Sequence, residues 1–162
     1  MIQPIILKNE LSIQDMEENQ IISTALKCLE NRLRYDSQPR FADPKNTCDF
    51  LRLQIGNEQD EIFAALFLNS QNQLIAFEKL FFGTVNQATI HPRKVIKKCL
   101  EHNAAHLIIT HNHTSQDCSL SEADKEVTAT LKDILTVMDV KLLDHIIVSS
   151  HETFSLAENG LL

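Results

Sequence analysis

Apolar positions along the chain follow two rhythms, and the change between them divides the sequence. Across residues 12–35, Met16, Ile22, Ala25, Leu26, Leu29 and Leu33 recur at the spacing of one helix face, with charged residues between them. That spacing predicts an amphipathic N-terminal helix. Asp43 before Pro44 has the form of an N-cap with proline in the first helical turn. Cys48, Leu51 and Ile55 then supply the buried stripe of a short helix that Gly56 and Asn57 end.

Beyond Gly56 the rhythm tightens. Residues 61–68 and 74–82 are two runs rich in apolar and aromatic residues, separated by the polar tetrapeptide Asn69, Ser70, Gln71, Asn72, and together they predict a β-hairpin. Gly83 and Thr84 break the second run, and residues 85–90 could continue as an extended piece. Pro92 opens a helix that runs through Glu101, and residues 104–110 form a buried strand. A polar, aperiodic loop over residues 111–120 leads to a helix over residues 122–137, with Val127, Leu131, Ile134 and Leu135 inward. Residues 142–148 and 153–156 supply two further strands. The pattern is mixed α/β without internal repeats. A length of 162 residues suits one principal core. We divide the chain into an N-terminal helix and connector, residues 1–42, and a domain over residues 43–162.

Charge narrows the function classes. Fifteen Lys and Arg against 22 Asp and Glu give a net charge of −7, a field that repels a phosphate backbone and disfavours strong direct DNA binding. Arg93, Lys94, Lys97 and Lys98 form the one local basic run, either a solvated helix face or a DNA contact. The four cysteines, Cys28, Cys48, Cys99 and Cys118, form no CxxC pair and no secretory leader precedes them, which points to a reducing cytoplasm. No apolar run approaches the roughly 20 residues needed to span a bilayer. The apolar stretch from Phe77 to Phe82 could form an edge contact in a homodimer.

The informative chemistry lies in His111-Asn112-His113, seven residues, and then Ser121-Glu122-Ala123-Asp124. Histidines at i and i+2 of a strand end project to one side, where both imidazoles can meet one ion, and a carboxylate at the next helix start can close the site. Three protein ligands leave a fourth position open, as a catalytic rather than a structural zinc requires. Taken alone, Ser121 and Asp124 also have the spacing of a helix cap. Asp144-His145 reads equally well as a pair that orients a ligand imidazole or as a buried histidine satisfied by a carboxylate. His91, His102, His106 and His151 have no compelling spacing.

HxH, seven residues and SxxD is the metal motif of the JAMM family, also called JAB or MPN, and this copy matches without insertion. Phe82-Gly83-Thr84, His91-Pro92-Arg93, Asn103-Ala104-Ala105, the run Leu143 to Val148 and the C-terminal Ser155-Leu156-Ala157-Glu158-Asn159-Gly160-Leu161-Leu162 resemble the RadC branch. The resemblance covers roughly residues 43–162. It implies a three-layer, mixed-sheet JAMM/MPN fold related to cytidine deaminases, here with an added N-terminal helical segment. The N-terminal part is too short for the helix-hairpin-helix DNA-binding region of longer RadC proteins, so the chain looks like the short form often carried by mobile elements.

Carried over by position, the resemblance implies His111, His113 and Asp124 as zinc ligands and Ser121 as donor to a developing oxyanion. It implies Glu61 as general base on the zinc-bound water, with Glu58 a poorer match. RadC members usually read HNHPSG, whereas here Thr114 and Gln116 replace the proline and glycine, leaving the ligands intact but altering the loop. Cys118 is either a thiol that tunes the zinc or an incidental loop residue. The expectation is a zinc-dependent hydrolase of amide bonds, acting on an unidentified peptide or protein in a DNA-repair-associated setting. The alternative is a binding module of the DNA-processing machinery whose metal site is weak or inactive.

Overall fold

The computed structural model describes residues 13–35, 44–83, 90–114 and 117–162. Several sequence expectations fall outside them: the N-cap at Asp43, all but Ile90 of the extended piece over residues 85–90, and Ser115 and Gln116 of the loop. The side chains of Met16 and Leu33 are likewise outside what is described.

Helix α1 (Ile13–Tyr35) carries half-buried Ile22, Ala25, Leu26 and Leu29 on one face, and Leu26 and Leu29 pack on the helix that follows. That helix, α2 (Pro44–Ile55), buries Thr47, Phe50, Leu51 and Ile55, while Cys48 is only half-buried. The stripe is therefore rotated from the expected Cys48, Leu51 and Ile55. Phe50 is the larger apolar group and takes the inward place, meeting Phe77 edge-on at 5.6 Å. Gly56 ends α2 where chain segments pass closely: a Cβ there would lie 2.5 Å from the Arg52 carbonyl oxygen and 3.0 Å from that of Ser149.

Strands β1 (Ile62–Leu68) and β2 (Leu74–Phe82) form the expected antiparallel hairpin. Asn69 organises its turn: its side-chain Oδ1 accepts from the amides of Gln71 and Gln73, and Asn72 takes a left-handed φ of 60°. Helix α3 (Pro92–Glu101) starts and stops as the sequence predicts. Strand β3 (His106–Asn112), however, is displaced towards the C-terminus from the expected 104–110. Its far end is set by partners distant in sequence: Phe63 pairs with His111 and Val148 with Asn112. His111 and Asn112 therefore belong to the strand, and only His113 leaves it.

Helix α4 (Glu122–Val137) crosses over to β4 (Lys141–Val148), which lies parallel to β3, and β5 (Thr153–Ser155) returns antiparallel to β4. The sheet order is β2-β1-β3-β4-β5. Phe63, Ala65, Leu107 and Ile109 pack under Val95 of α3 and Leu131 and Leu135 of α4. Ala64, Leu66, Ile108 and Ile146 pack on the opposite side with Phe50 and Leu51 of α2. The result is a three-layer α/β/α arrangement in which β1 is buried along its whole length. On α4 the buried stripe is Asp124, Thr128, Leu131 and Leu135, with the expected Val127 and Ile134 only half-buried.

The β3–β4 register slips by one between Leu107/Ile108, so that Leu107 faces Leu142 but Ile108 faces Asp144. Leu143 is the extra residue, a bulge after which His145 lies beside Ile109. Among the described residues no helix is long and apolar enough to cross a membrane.

Candidate metal centre

Positions 111 and 113 alternate with Asn112 along extended backbone and so present their side chains on one face, the face covered by α4. Helix α4 then delivers Asp124 through its own need for a cap. Ser121 Oγ accepts from the Asp124 amide at 3.2 Å, and Asp124 Oδ2 accepts from the Ser121 amide at 2.9 Å and from its hydroxyl at 2.6 Å. With Oδ2 committed, Oδ1 points to the histidines. It lies 3.2 Å from His111 Nε2, is buried and has no hydrogen-bond partner. The capping and metal readings of Ser121 and Asp124 are thus compatible: the cap aims the carboxylate.

His111 Nε2 and His113 Nε2 stand 3.0 Å apart. His113 Nδ1 lies 3.0 Å from the backbone carbonyl of Asp117, which can only accept, so the neutral His113 ring carries its proton on Nδ1 and a lone pair on Nε2. One ligand atom from each of His111, His113 and Asp124 lies within 4.8 Å of the others. A buried carboxylate oxygen without a donor is costly, and beside imidazole lone pairs it is unfavourable unless a cation joins them. The two-nitrogen, one-oxygen set fits a borderline-soft divalent ion with an open fourth position.

Burial holds His111 and His145 neutral. It pushes the His111 pKa down to about 4, against the pull of the Asp124 carboxylate and with a further push from His113. His145, fully buried, is driven well below the usual histidine range for the same reason, reinforced by His111 and His113. Neutral imidazoles are the form that binds metal.

The Asp144-His145 pair divides. His145 Nε2 lies 2.9 Å from His111 Nδ1, and His145 Nδ1 lies 2.6 Å from Thr128 Oγ1, so the ring is satisfied by Thr128 and not by Asp144. Asp144 instead accepts from Ser155 Oγ at 2.6 Å and from the amides of Ala157 and His145 at 2.9 and 2.7 Å, fastening the C-terminal segment to β4. Its burial raises its pKa.

Glu61 precedes β1 and is half-buried. Glu61 stands two residues before Phe63, the β1 partner of His111, and is not among the residues whose ligand atoms converge with those of the triad. Its backbone is held on both sides: Gly83 N–H donates to its carbonyl at 2.8 Å, and Asn112 bonds the Asp60 carbonyl and the Ile62 amide. Glu58 is paired with Lys79 at 2.5 Å.

Other candidates lie apart from the triad. Cys118 is buried against Ile147 and Leu156, its thiol donates to the Glu152 carbonyl at 3.4 Å, and burial raises its pKa. The incidental reading of Cys118 is the one its surroundings favour. Lys98 is paired with Glu78 and Glu101 at 3.0 Å each, Lys97 with Glu101 at 3.7 Å, and Lys94 sits over the Phe81 ring and donates to the Leu80 carbonyl. His102 bonds Glu78 at 2.6 Å and His106 bonds Asn72.

Two residues escaped the sequence reading. Asn112 has no assigned role in the HxH spacing, and Thr128 lies beside Val127, which the apolar pattern of α4 places inward. Thr128 stands four residues after Asp124, on the same helical face, and that period was the available signal.

Residues 41–161 match the family model described as RadC-like JAB domain. A UPF0758 protein of Coxiella burnetii is 49% identical over 112 residues, covering 69% of this chain and 50% of the relative. One of Vibrio cholerae is 43% identical over 149 residues, covering 92% of this chain and 93% of the relative. A third, of Methylibium petroleiphilum, is 43% identical over 142 residues, or 88% of this chain and 63% of the relative. The chain thus spans about half the length of the Coxiella relative and nearly all of the Vibrio one.

Proposed function

The chain belongs to the RadC-like JAB domain family, and on that footing we propose that it is a hydrolase of amide bonds in a peptide or protein, working through one zinc ion held by His111, His113 and Asp124. One observation carries the reading: the buried, donorless Asp124 Oδ1 converges with two imidazole nitrogens 3.0 Å apart. When bound, the ion supplies Lewis-acid polarisation of a carbonyl and acidifies a water.

The chain's own residues supply the rest. Glu61 is the general base: it takes a proton from the attacking water and returns it to the departing amine as the C–N bond breaks, so the proton count closes. Asn112 fixes the backbone on either side of Glu61 to the strand that bears the histidines, keeping base and ligands in one rigid frame. Ser121 holds Asp124 Oδ2, leaving Oδ1 for the ion; donation to a substrate oxyanion requires its hydroxyl to exchange that bond. The same commitment of Ser121 favours the second reading, a binding module of DNA-processing machinery with weak turnover.

Metal analysis tests the first reading. Purified protein is expected to hold about one equivalent of zinc, by the three-ligand chemistry above, and His113→Ala to lose it; zinc retained unchanged in that variant removes the assignment. Comparison of cellular peptides with wild-type protein and with Glu61→Gln separates the two readings. Peptides that accumulate in the Glu61→Gln cells identify the substrate class, whereas identical peptide pools together with loss of cellular function in an Arg93 surface variant favour the binding module.

A further inference from the structure

We infer that Thr128 and His145 form a proton relay that fixes the tautomer of His111 and so keeps its Nε2 lone pair directed at the ion. The relay presupposes the metal centre proposed above, and it starts from an atom whose role admits no choice. Thr128 Oγ1 lies 2.5 Å from the backbone carbonyl of Asp124, and a carbonyl only accepts, so the single hydroxyl proton of Thr128 belongs there. Towards His145 Nδ1, at 2.6 Å, the hydroxyl can then offer only a lone pair, and Nδ1 must bring the proton. A neutral His145 therefore carries a lone pair on Nε2, 2.9 Å from His111 Nδ1. That lone pair calls for the proton on His111 Nδ1, and His111 Nε2 is left bare, 3.2 Å from Asp124 Oδ1.

Each step follows from the one before. Thr128 is also on the helix that delivers Asp124, so α4 aims the carboxylate from its first turn and orders the imidazole from the next. His113 reaches the same result independently through the Asp117 carbonyl. Reversal of the relay would place a hydrogen on His111 Nε2, directly between the ligands. Thr128 and His145 are thus positioning residues, acting through His111 without touching the ion.

The test combines nitrogen-15 histidine spectra of the metal-free protein with zinc affinity measured against a competing chelator. Wild-type protein should show His111 and His145 protonated on Nδ1. Thr128→Val keeps the shape but removes the acceptor; it should move the His145 proton to Nε2 and weaken zinc binding by about 10- to 100-fold. Thr128→Ser should restore both the spectrum and the affinity, which a packing defect alone would not do. Wild-type His111 protonated on Nε2, or zinc affinity unchanged in Thr128→Val, overturns the relay. Failure of the wild-type protein to take up zinc overturns the proposed function, while the nitrogen spectra still decide the relay.

Discussion

Asn112 accepts the amide hydrogen of Ile62 at 2.6 Å, and its side chain thereby adds a rung where the β1–β3 backbone ladder has ended. Its Nδ2 donates at the same time to the Asp60 carbonyl at 3.1 Å. Asn112→Ala leaves the buried Ile62 amide without a partner. The expected cost is about 1–3 kcal/mol, read as a lower urea midpoint, with zinc content unchanged because no ligand is touched. An unaltered midpoint would show that the extra rung contributes nothing.

Ser121 and Asp124 can be separated by substitution. Ser121→Ala removes the cap and the hydroxyl on Oδ2, lowering stability by roughly 1 kcal/mol and weakening zinc binding without abolishing it. Asp124→Asn removes the charge and should abolish binding. Chelator competition on the two variants checks the order, and equal losses would contradict the division of labour between the two carboxylate oxygens.

Acid should loosen the fold through His111. Its folded pKa lies at about 4, below the roughly 6.5 of an unfolded histidine, so the unfolded chain takes up the proton first. The stability it contributes is complete above about pH 6.5 and is lost as pH falls towards 4, on the order of 3 kcal/mol in all. Denaturation of metal-free protein at stepwise pH should show that loss, and His111→Gln should reduce it, the buried His145 keeping its own share.

Gly56 occupies a place no side chain fits. An alanine Cβ would meet the Arg52 carbonyl oxygen at 2.5 Å, and backbone must shift to relieve it. Gly56→Ala is expected to destabilise by about 1–3 kcal/mol, as overpacking does, despite the higher helix propensity of alanine. A thermal melt at or above the wild-type midpoint would contradict the packing there.

The thiols should react in order of exposure, and burial slows Cys99 and Cys118 further by raising their pKa. Cys28 is exposed, whereas burial raises Cys99 to about 11 and also raises Cys118. Timed alkylation followed by mass spectrometry should label Cys28 well before Cys99 and Cys118. Early labelling of Cys118 would mean that its thiol is not packed against Ile147 and Leu156.

What the sequence made legible was whatever local chemistry enforces. Pro92, the Asn69 to Asn72 turn and Ser121 each act within a few residues, and the elements they bound lie where the pattern put them. Strand β3 was misplaced because its end depends on Phe63 and Val148, far away in sequence. The spacing of His111, His113 and Asp124 anticipated their convergence. Thr128, Asn112 and the separate fates of Asp144 and His145 were not legible, since a polar residue in a buried place declares its role only through partners.

The single extra residue in β4 decides which of two neighbouring side chains stands behind His111. Without the slip at Leu143, Asp144 would face Ile109 in place of His145. A carboxylate in that position would draw proton density from His111 and bring a second negative charge, leaving a divalent ion in a neutral nest. With imidazole there instead, a divalent ion held by two histidines and one aspartate would keep a net charge of plus one. The electrophilic strength such an ion would have is thus tied to strand register, and insertion or loss of one residue that is not itself a ligand would change it.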